Sequence, residues 1–318
     1  GPDISMLTQY EKQGAKYLDS GGKAIADVLT FLKEQGCNTM RVRLFVDPSG
    51  DSDPQVCQDL DYVKQLGKRI KDAGMAFMLD FHYSDTWADP SNQYTPSAWG
   101  SLSDADLYTK IYDYTKECLT TLKNFGATPD FIQTGNEISY GMLWGTSGGS
   151  LKKCYTSSTA NWDRFITLLT KAGQACREVC PSAKIIIHTI HEEMWMVSKM
   201  TEKRVDGVIY KTAHLEQLLQ AITTVNEGRQ YYSPKFKKSQ KVLSLQNDIP
   251  SPREIEVLEA IAKGYSTKEI ASQLFISENT VENHRKSLFK KLHAHNMAEL
   301  IVKSIGAGYI NPDNLDLR

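Results

Sequence analysis

Three short segments of the chain combine acidic, basic, aromatic and amide side chains in a way that suits carbohydrate chemistry. Carboxylates can act on a glycosidic bond as acid, base or nucleophile. Aromatic rings among them can stack on the apolar face of a sugar ring. The pattern therefore favours a carbohydrate site, whose candidate residues are Arg41, Asp80, His82, Trp87, Asp89, Asn136 and Glu137.

Each segment lies at the end of a predicted strand. Short β-branched or aromatic runs alternate with amphipathic helical stretches, which indicates successive βα units and a parallel sheet. Because parallel α/β barrels place their chemistry at the carboxyl ends of the strands, we expect the three segments to meet at one edge. The predicted strands are 3–7, 39–46, 76–83, 130–134, 184–189 and 207–211, and the predicted helices lie near 23–35, 56–73, 104–125, 161–179, 193–203 and 213–226.

Together with the opening residues Asp3-Ile-Ser-Met, these segments resemble the endo-β-1,4-galactanase family of retaining glycoside hydrolases, over residues 1–188. The resemblance implies a (β/α) barrel in which Glu137 is the general acid/base. It implies that Asn136 hydrogen-bonds the sugar near its 2-hydroxyl. The remaining candidates are expected to line the substrate cleft, namely Arg41, Asp80, His82, Trp87 and Asp89.

Retention needs a second carboxylate about 5–5.5 Å from the first, which acts as the nucleophile. In the family this residue comes from the seventh strand. Here the galactanase-like sequence stops within the strand predicted at 184–189, so the nucleophile strand is expected to be missing. Catalysis depends on geometry that about six βα units need not reproduce, and we expect the sugar site to be inactive.

Residues 251–318 carry a different pattern, in which only helices are predicted. A first helix ends at Gly264, a second covers 267–274, and a three-residue connection leads to a third at 278–292. Two short helices joined by such a turn have the geometry of a DNA-recognition unit. Asn283 and Lys286 suit base edges, and cationic side chains suit phosphates. The candidate DNA-binding residues are Lys268, Thr280, Asn283, His284, Arg285, Lys286, Lys290 and Lys291.

The motifs Ser251-Pro-Arg-Glu, Gly264-Tyr-Ser-Thr-Lys-Glu-Ile-Ala and Thr280-Val-x-x-His-Arg resemble the effector domain of LuxR-type response regulators. The resemblance implies that DNA is the partner. It also implies a possible homodimer, because the final helix, near 297–307, can supply a dimer surface in such domains. One departure is Glu282, where many relatives carry lysine.

Residues 189–230 resemble the last two βα units of a receiver domain. In that family a hydroxyl and a lysine at the ends of two strands respond to a phosphoaspartate, and the matching residues are Thr189 and Lys211. A receiver also needs an aspartate cluster that holds Mg²⁺ and the phosphoryl group. The expected upstream sequence is absent, so we expect Thr189 and Lys211 to be structural rather than a working switch.

Composition adds a local charge balance. The whole chain has a net charge of −1, whereas residues 235–312 hold twelve Lys or Arg against eight Asp or Glu, a balance of +4 that favours a polyanion partner for this part. No cysteine spacing suits a metal, so no metal or cofactor is expected, and the cysteines are either buried thiols or disulfides. No run of 18 apolar residues occurs, so no membrane span is expected.

The sequence thus predicts an α/β part followed by an all-α part. The first is a partial (β/α) barrel of about six βα units, a hybrid of barrel and flavodoxin-like sheet, and the second is a four-helix LuxR-type helix-turn-helix domain. The expected boundaries are 1–188 for the galactanase-like part, 189–230 for the receiver-like units, 231–250 for a linker and 251–318 for the helix-turn-helix domain.

Three functions remain open at this stage. The first is a DNA-binding transcriptional regulator whose galactanase-like part is inactive. The second is a glycoside hydrolase that cleaves β-1,4-galactan with Glu137 as acid/base, and the third is a fold chimera without physiological function. The two resemblances imply different locations, the cytoplasm for the regulator part and export for the galactanase-like part.

Overall fold

A computed structural model describes residues 1–154, 159–189, 192, 197, 200–201, 205–245, 250–307 and 309–310. The chain groups into two compact units. The first comprises Gly1–Lys153 with Asn161–Ala183, and the second comprises Cys154–Ala160 with Lys184–Arg318. None of the helices in the described ranges is both long and apolar enough to cross a membrane.

The first unit is built on a three-stranded parallel sheet. Its strands are β1 (Thr39–Leu44), β2 (Ala76–Phe81) and β3 (Phe131–Thr134), in the order β1-β2-β3. Leu44 pairs with Phe81 and Phe81 with Thr134, so the three strands end side by side. The helices are α1 (Leu7–Lys12), α2 (Val28–Glu34), α3 (Leu60–Asp72), α4 (Asp104–Asn124) and α5 (Thr159–Val179), with short 3-10 turns at Pro48–Gly50 and Ser97–Trp99.

Side-chain alternation decides which residues of the sheet belong to the core. In β1 every second residue is buried, with Met40, Val42 and Leu44 fully inaccessible, whereas Arg41 and Arg43 retain some exposure on the opposite face. This is the two-residue period of a strand. Because Arg43 pairs in register with Asp80 of β2, the face that carries the two arginines also carries Asp80.

The strand predicted at 3–7 is reduced to one bridge between Asp3 and Arg41. Asp3 accepts a hydrogen bond from the backbone nitrogen of Ser5, which turns the chain, and α1 begins at Leu7. The helix predicted at 193–203 lies mostly outside the described residues. Cys118 and Cys176 are buried thiols, and burial raises the pKa of each to about 12.

The α/β part of the second unit has its own parallel sheet, β4 (Ile186–Thr189), β5 (Gly207–Tyr210) and β6 (Tyr231–Tyr232), with α6 (Leu215–Asn226) and α7 (Pro234–Leu245). The linker expected at 231–250 is therefore wrong for residues 231–245. Tyr231 pairs with Gly207 in the sheet, and Phe236 of α7 is fully buried next to the rings of Tyr210 and Tyr232. Burial of this aromatic side chain stabilises a segment whose composition is otherwise polar.

The remaining helices are α8 (Pro252–Ala262), α9 (Thr267–Leu274), α10 (Glu278–Lys291) and α11 (Met297–Gly306). Both α8 and α9 begin with a capping box, formed by Ser251 with Glu254 and by Ser266 with Glu269. Their apolar faces enclose a core whose fully buried members are Val257, Leu258, Ile270, Val281, Leu288 and Leu300. The predicted order, an α/β part followed by an all-α part, is confirmed.

Candidate active site and candidate nucleic-acid interface

Arg41, on β1, connects the N-terminal segment, β2 and the turn after β3. Its Nη2 donates to Asp80 Oδ2 across 2.5 Å and to Asn136 Oδ1 across 3.0 Å. Its Nη1 donates to Asp3 Oδ2 across 2.5 Å. Asp80 is fully buried, so the guanidinium compensates a carboxylate that would otherwise be costly to desolvate.

Asn136 is held in one orientation by contacts on both sides of its amide. Its Oδ1 accepts from Arg41, and its Nδ2 donates to the carbonyl of Ala88 across 2.7 Å. Gln93 donates from Nε2 to the Asn136 carbonyl across 2.7 Å, which fixes the backbone as well. Gln93 was not a candidate, and nothing in its local sequence marks it.

Glu137 has an exposed side chain and left-handed backbone with φ of +50°. Such a conformation is uncommon for a residue other than glycine, and it concentrates at functional sites. Gly135, two residues earlier, also has a positive φ, of +101°. The turn after β3 is therefore strained where the predicted acid/base lies.

His82 directly follows the last residue of β2 and is almost fully buried. Its Nδ1 accepts a hydrogen bond from the backbone nitrogen of Ala88 across 3.2 Å, so the proton of the neutral ring is on Nε2. Nε2 lies 3.1 Å from Asp80 Oδ2 without the alignment of a hydrogen bond. The rings of His82 and Phe45 pack in a T-shaped arrangement, with 4.8 Å between ring centroids.

Trp87 is fixed from two directions. Its Nε1 donates to Asp53 Oδ2 across 2.8 Å, and the guanidinium of Arg43 lies over its ring, 4.4 Å from the centroid. The hydrogen bonds from Gln55 and Trp87 lower the pKa of Asp53. Arg43 had no assigned role, although its position two residues after Arg41 places both on one face of the strand.

Asp89 uses its carboxylate to shape the loop after β2. Its Oδ1 accepts from the backbone nitrogens of Ser91, across 2.6 Å, and Asn92, across 3.0 Å, and its Oδ2 accepts from Asn92 Nδ2 across 2.9 Å. Burial alone raises the pKa of Asp89, but these hydrogen bonds outweigh it and the pKa is lowered. The side chain is therefore a charged acceptor in the loop.

Six of the seven candidate residues line one cleft of about 330 Å³, and Asp80 lies bonded to Arg41 within the same cluster. A cleft of this volume is at the lower end for a small-molecule site. Among the described residues that line it, Glu137 and Asp89 are the two carboxylates. The lining residues are Arg41, Arg43, His82, Trp87, Ala88, Asp89, Asn136 and Glu137.

Thr189 and Lys211 lie together at the ends of β4 and β5. The Lys211 nitrogen donates to the Thr189 carbonyl across 2.7 Å, a backbone contact that continues the ladder. Asp206, the nearest aspartate in sequence, accepts from the backbone nitrogen of Ile185 across 2.7 Å. In the described ranges no group of three or more His, Cys, Asp or Glu side chains could hold a metal.

Four residues define the exposed face of α10, namely Asn279, Asn283, Lys286 and Lys290. They recur at spacings of four, three and four residues, so they share one side of the helix, and all four are exposed. Within the described part of the chain none of these side chains makes a hydrogen bond or ion pair. Asn283, Lys286 and Lys290 are predicted DNA-binding residues. Asn279 joins them because its spacing from Asn283 places it on the same face of the helix.

The other candidates differ in their surroundings. Lys268 is exposed on α9, and His284 is half-buried. Thr280 contacts Ser277 at the start of α10, with 2.8 Å between the hydroxyl oxygens. Arg285 and Lys291 bind carboxylates of the domain itself, Glu282 and Glu254 respectively.

Comparison with known proteins gives two separate matches. The family described as glycosyl hydrolase family 53 matches residues 1–211, which includes β4 and β5. The family described as bacterial regulatory proteins, luxR family, matches residues 249–304. The luxR-family match contains α8, α9 and α10, and nearly all of α11.

Curated relatives match the first region. An uncharacterized protein in the bgaB 5′ region of Niallia circulans is 40% identical over 59% of this chain and 49% of its own length. An arabinogalactan endo-β-1,4-galactanase of Thermothelomyces thermophilus is 36% identical over 59% of this chain and 52% of its own length. The chain thus spans about half the length of the curated relatives it matches.

A solved structure, the glycosyl hydrolase family 53 catalytic domain of Ignisphaera aggregans, superposes with a TM-score of 0.55 at 33% identity. The superposition covers 66% of this chain and 58% of that one. A fungal β-1,4-galactanase structure gives a TM-score of 0.55 at 25% identity, over 87% of this chain and 86% of that one. The predicted barrel-like fold of the first part is confirmed.

Proposed function

The chain belongs to glycosyl hydrolase family 53 and carries a luxR-family DNA-binding domain, and from these two facts we propose that it is a DNA-binding transcriptional regulator whose sugar cleft has lost hydrolysis. In this proposal residues 1–188 form the galactanase-like part, 189–230 the receiver-like units and 251–318 the DNA-binding domain. Thr189 and Lys211 have a structural role only.

The exposed face of α10 is the observation that carries the proposal. Asn283 and Lys286 offer amide and ammonium donors to base edges in the major groove, and Lys290 reaches a phosphate. Lys268 is exposed on α9 and adds a second phosphate contact. These side chains are available because they make no hydrogen bond or ion pair within the described part of the domain.

Fluorescence anisotropy with labelled duplex DNA tests this function. Binding should weaken steeply between 50 and 200 mM salt, by roughly 10³-fold if six or more phosphates are contacted. Competition with unlabelled random duplex separates specific from non-specific binding. Absence of binding at 50 mM salt by a folded protein would rule the function out.

A homodimer is part of the same proposal. Val302 on α11 is 68% exposed, whereas Leu300 of the same helix is fully buried in the core. A second copy docked on this side would cover Val302 and place two recognition helices on two half-sites. Sedimentation equilibrium with and without DNA measures the stoichiometry, and one protein per duplex would contradict the dimer.

For the cleft we propose binding of β-1,4-linked galactan without hydrolysis. Retention needs two carboxylates about 5–5.5 Å apart. Glu137 has the strained position expected of an acid/base, but the other lining carboxylate, Asp89, is engaged by Ser91 and Asn92. Under this proposal, isothermal titration with β-1,4-galactooligosaccharide should give a binding isotherm. Reducing-sugar release should stay at background, because no second carboxylate among the described residues of the cleft is available as nucleophile.

Hydrolysis is the second candidate, and the strained backbone at Glu137 is what favours it. Reducing-sugar release from galactan that disappears in Glu137→Gln would establish this activity and overturn the proposed inactive cleft. A folded protein that binds neither DNA nor galactan would leave the third alternative, a fold chimera without physiological function.

A further inference from the structure

Glu282 places a carboxylate beside the exposed face of α10. It follows Asn279 by three residues and precedes Lys286 by four, so it neighbours both on the helix surface. Its side chain is 44% exposed. A carboxylate at this place is repelled by a DNA phosphate, so Glu282 does not serve as a phosphate contact.

A three-member network holds the Glu282 side chain. Its Oε1 accepts from Thr267 Oγ1 across 2.7 Å and from Arg285 Nη1 across 3.1 Å, and Arg285 also donates to Thr267 across 2.8 Å. Thr267 is the first residue of α9, so the network joins the two helices of the recognition unit. The carboxylate is thus preorganised, and less side-chain entropy is lost when it binds a partner.

The second oxygen, Oε2, makes no hydrogen bond within the described part of the chain. In the major groove an acceptor of this kind matches the N4 amino group of cytosine, which has no acceptor next to it on the same base. Adenine presents N7 beside its amino group, and thymine and guanine present acceptors that repel a carboxylate. The neighbouring arginine lowers the cost of bringing this charge toward DNA.

We propose that Glu282 is a specificity-determining residue that selects cytosine at one position of each half-site. The inference rests on the proposed DNA binding and adds the base that is read. Arg285 is then a positioning residue, which holds Glu282 rather than contacting DNA.

Selection of duplexes from a random pool tests the preference. The full chain should enrich a site with cytosine at one position per half-site, and Glu282→Gln should shift that position toward adenine, because an amide can pair with N6 and N7. Glu216→Gln serves as the charge-matched control, since Glu216 lies on α6 outside the recognition unit, and it should leave the selected site unchanged.

A second measurement needs no protein variant. The selected duplex is made with 2-pyrimidinone, a cytosine without its 4-amino group, and wild-type affinity should fall about tenfold, a value within the range for one base contact. Unchanged affinity for this duplex, or an identical site selected by folded Glu282→Gln, would overturn the inference while DNA binding stands. Failure of the wild-type chain to enrich any duplex would overturn the proposed function and the inference together.

Discussion

Lys291 donates from Nζ to Glu254 Oε2 across 2.7 Å and so ties the last turn of α10 to the first turn of α8. The Glu254 side chain is 6% exposed and that of Lys291 24%. The same carboxylate oxygen accepts from the Ser251 backbone nitrogen in the capping box. Lys291 was expected to contact a phosphate, and we now propose that its main role is to hold the domain together.

Replacing Lys291 with methionine should destabilise the helix-turn-helix domain by about 2 kcal/mol, because a nearly buried carboxylate loses its cation. Hydrogen exchange with mass spectrometry reads the local opening of residues 250–307 in the full chain. Lys290→Met is the matched control and should leave protection unchanged. Equal protection in the two variants would show that the ion pair adds nothing.

The acid stability of this domain should depend on Glu254. Burial by itself raises the pKa of Glu254, but hydrogen bonds from Lys291, Ser287 and Ser251 outweigh it and lower the pKa to about 2. Because the folded pKa is below the unfolded value of 4.5, the stabilisation is present above pH 4.5 and is lost as pH falls toward 2. The helical circular dichroism signal, titrated from pH 6 to pH 2, should decline earlier in Glu254→Gln than in the wild type.

Glu259 of α8 should have the opposite effect on the pH dependence of stability, because its charged form destabilises the folded domain. Burial, reinforced by the nearby Glu256 carboxylate, raises its pKa to about 7 against the opposing effect of Lys263. The folded state then holds the proton more tightly than the unfolded state. The contribution of the protonated Glu259 to the free energy of unfolding is therefore complete below pH 4.5 and is lost as pH rises to 7. Glu259→Gln should stabilise the domain by up to about 3 kcal/mol at pH 8 and change little at pH 4. Equal stabilisation at both pH values, measured by hydrogen exchange, would contradict the shifted pKa.

Lys286 should matter for DNA affinity and not for folding. Lys286→Ala should lower the affinity for a selected duplex about tenfold and relax the base preference at one position. Lys237→Ala is the control, since Lys237 is an exposed lysine on α7. A matching loss in the control would mean that net charge, rather than a contact of α10, determines binding.

Trp87 should decide sugar affinity in the cleft. Its ring is held by Asp53 and Arg43, so it is preorganised as a stacking surface. Trp87→Ala should weaken β-1,4-galactooligosaccharide binding by about tenfold, the loss of one well-placed aromatic contact. Trp162→Ala on α5 is the comparison, and isothermal titration measures both. An unaltered isotherm for Trp87→Ala would place the sugar elsewhere.

Local patterns in the sequence were sufficient to predict where the polar segments of the cleft lie and which helices form the helix-turn-helix domain. The alternation of short β-branched or aromatic runs with helical stretches placed the polar segments at the ends of 39–46, 76–83 and 130–134, and the structure brings all seven candidates into one cluster. Helical stretches separated by Gly264 and by a three-residue connection predicted the helix-turn-helix elements. Both signals depend on neighbours within a few positions along the chain, and these are readable without a fold.

Only the tertiary structure decided which polar side chains are available and which are committed. Lys291 finds Glu254 across 37 positions, and Arg41 finds Asn136 across 95. Residues 231–245, whose composition predicted a linker, form β6 and α7 instead, and Phe236 of α7 packs in the second unit. Long-range contacts of this kind depend on how elements pack, and no local period encodes them. The sequence by itself therefore determined the kinds of site in this protein, and packing determined the partner of each side chain.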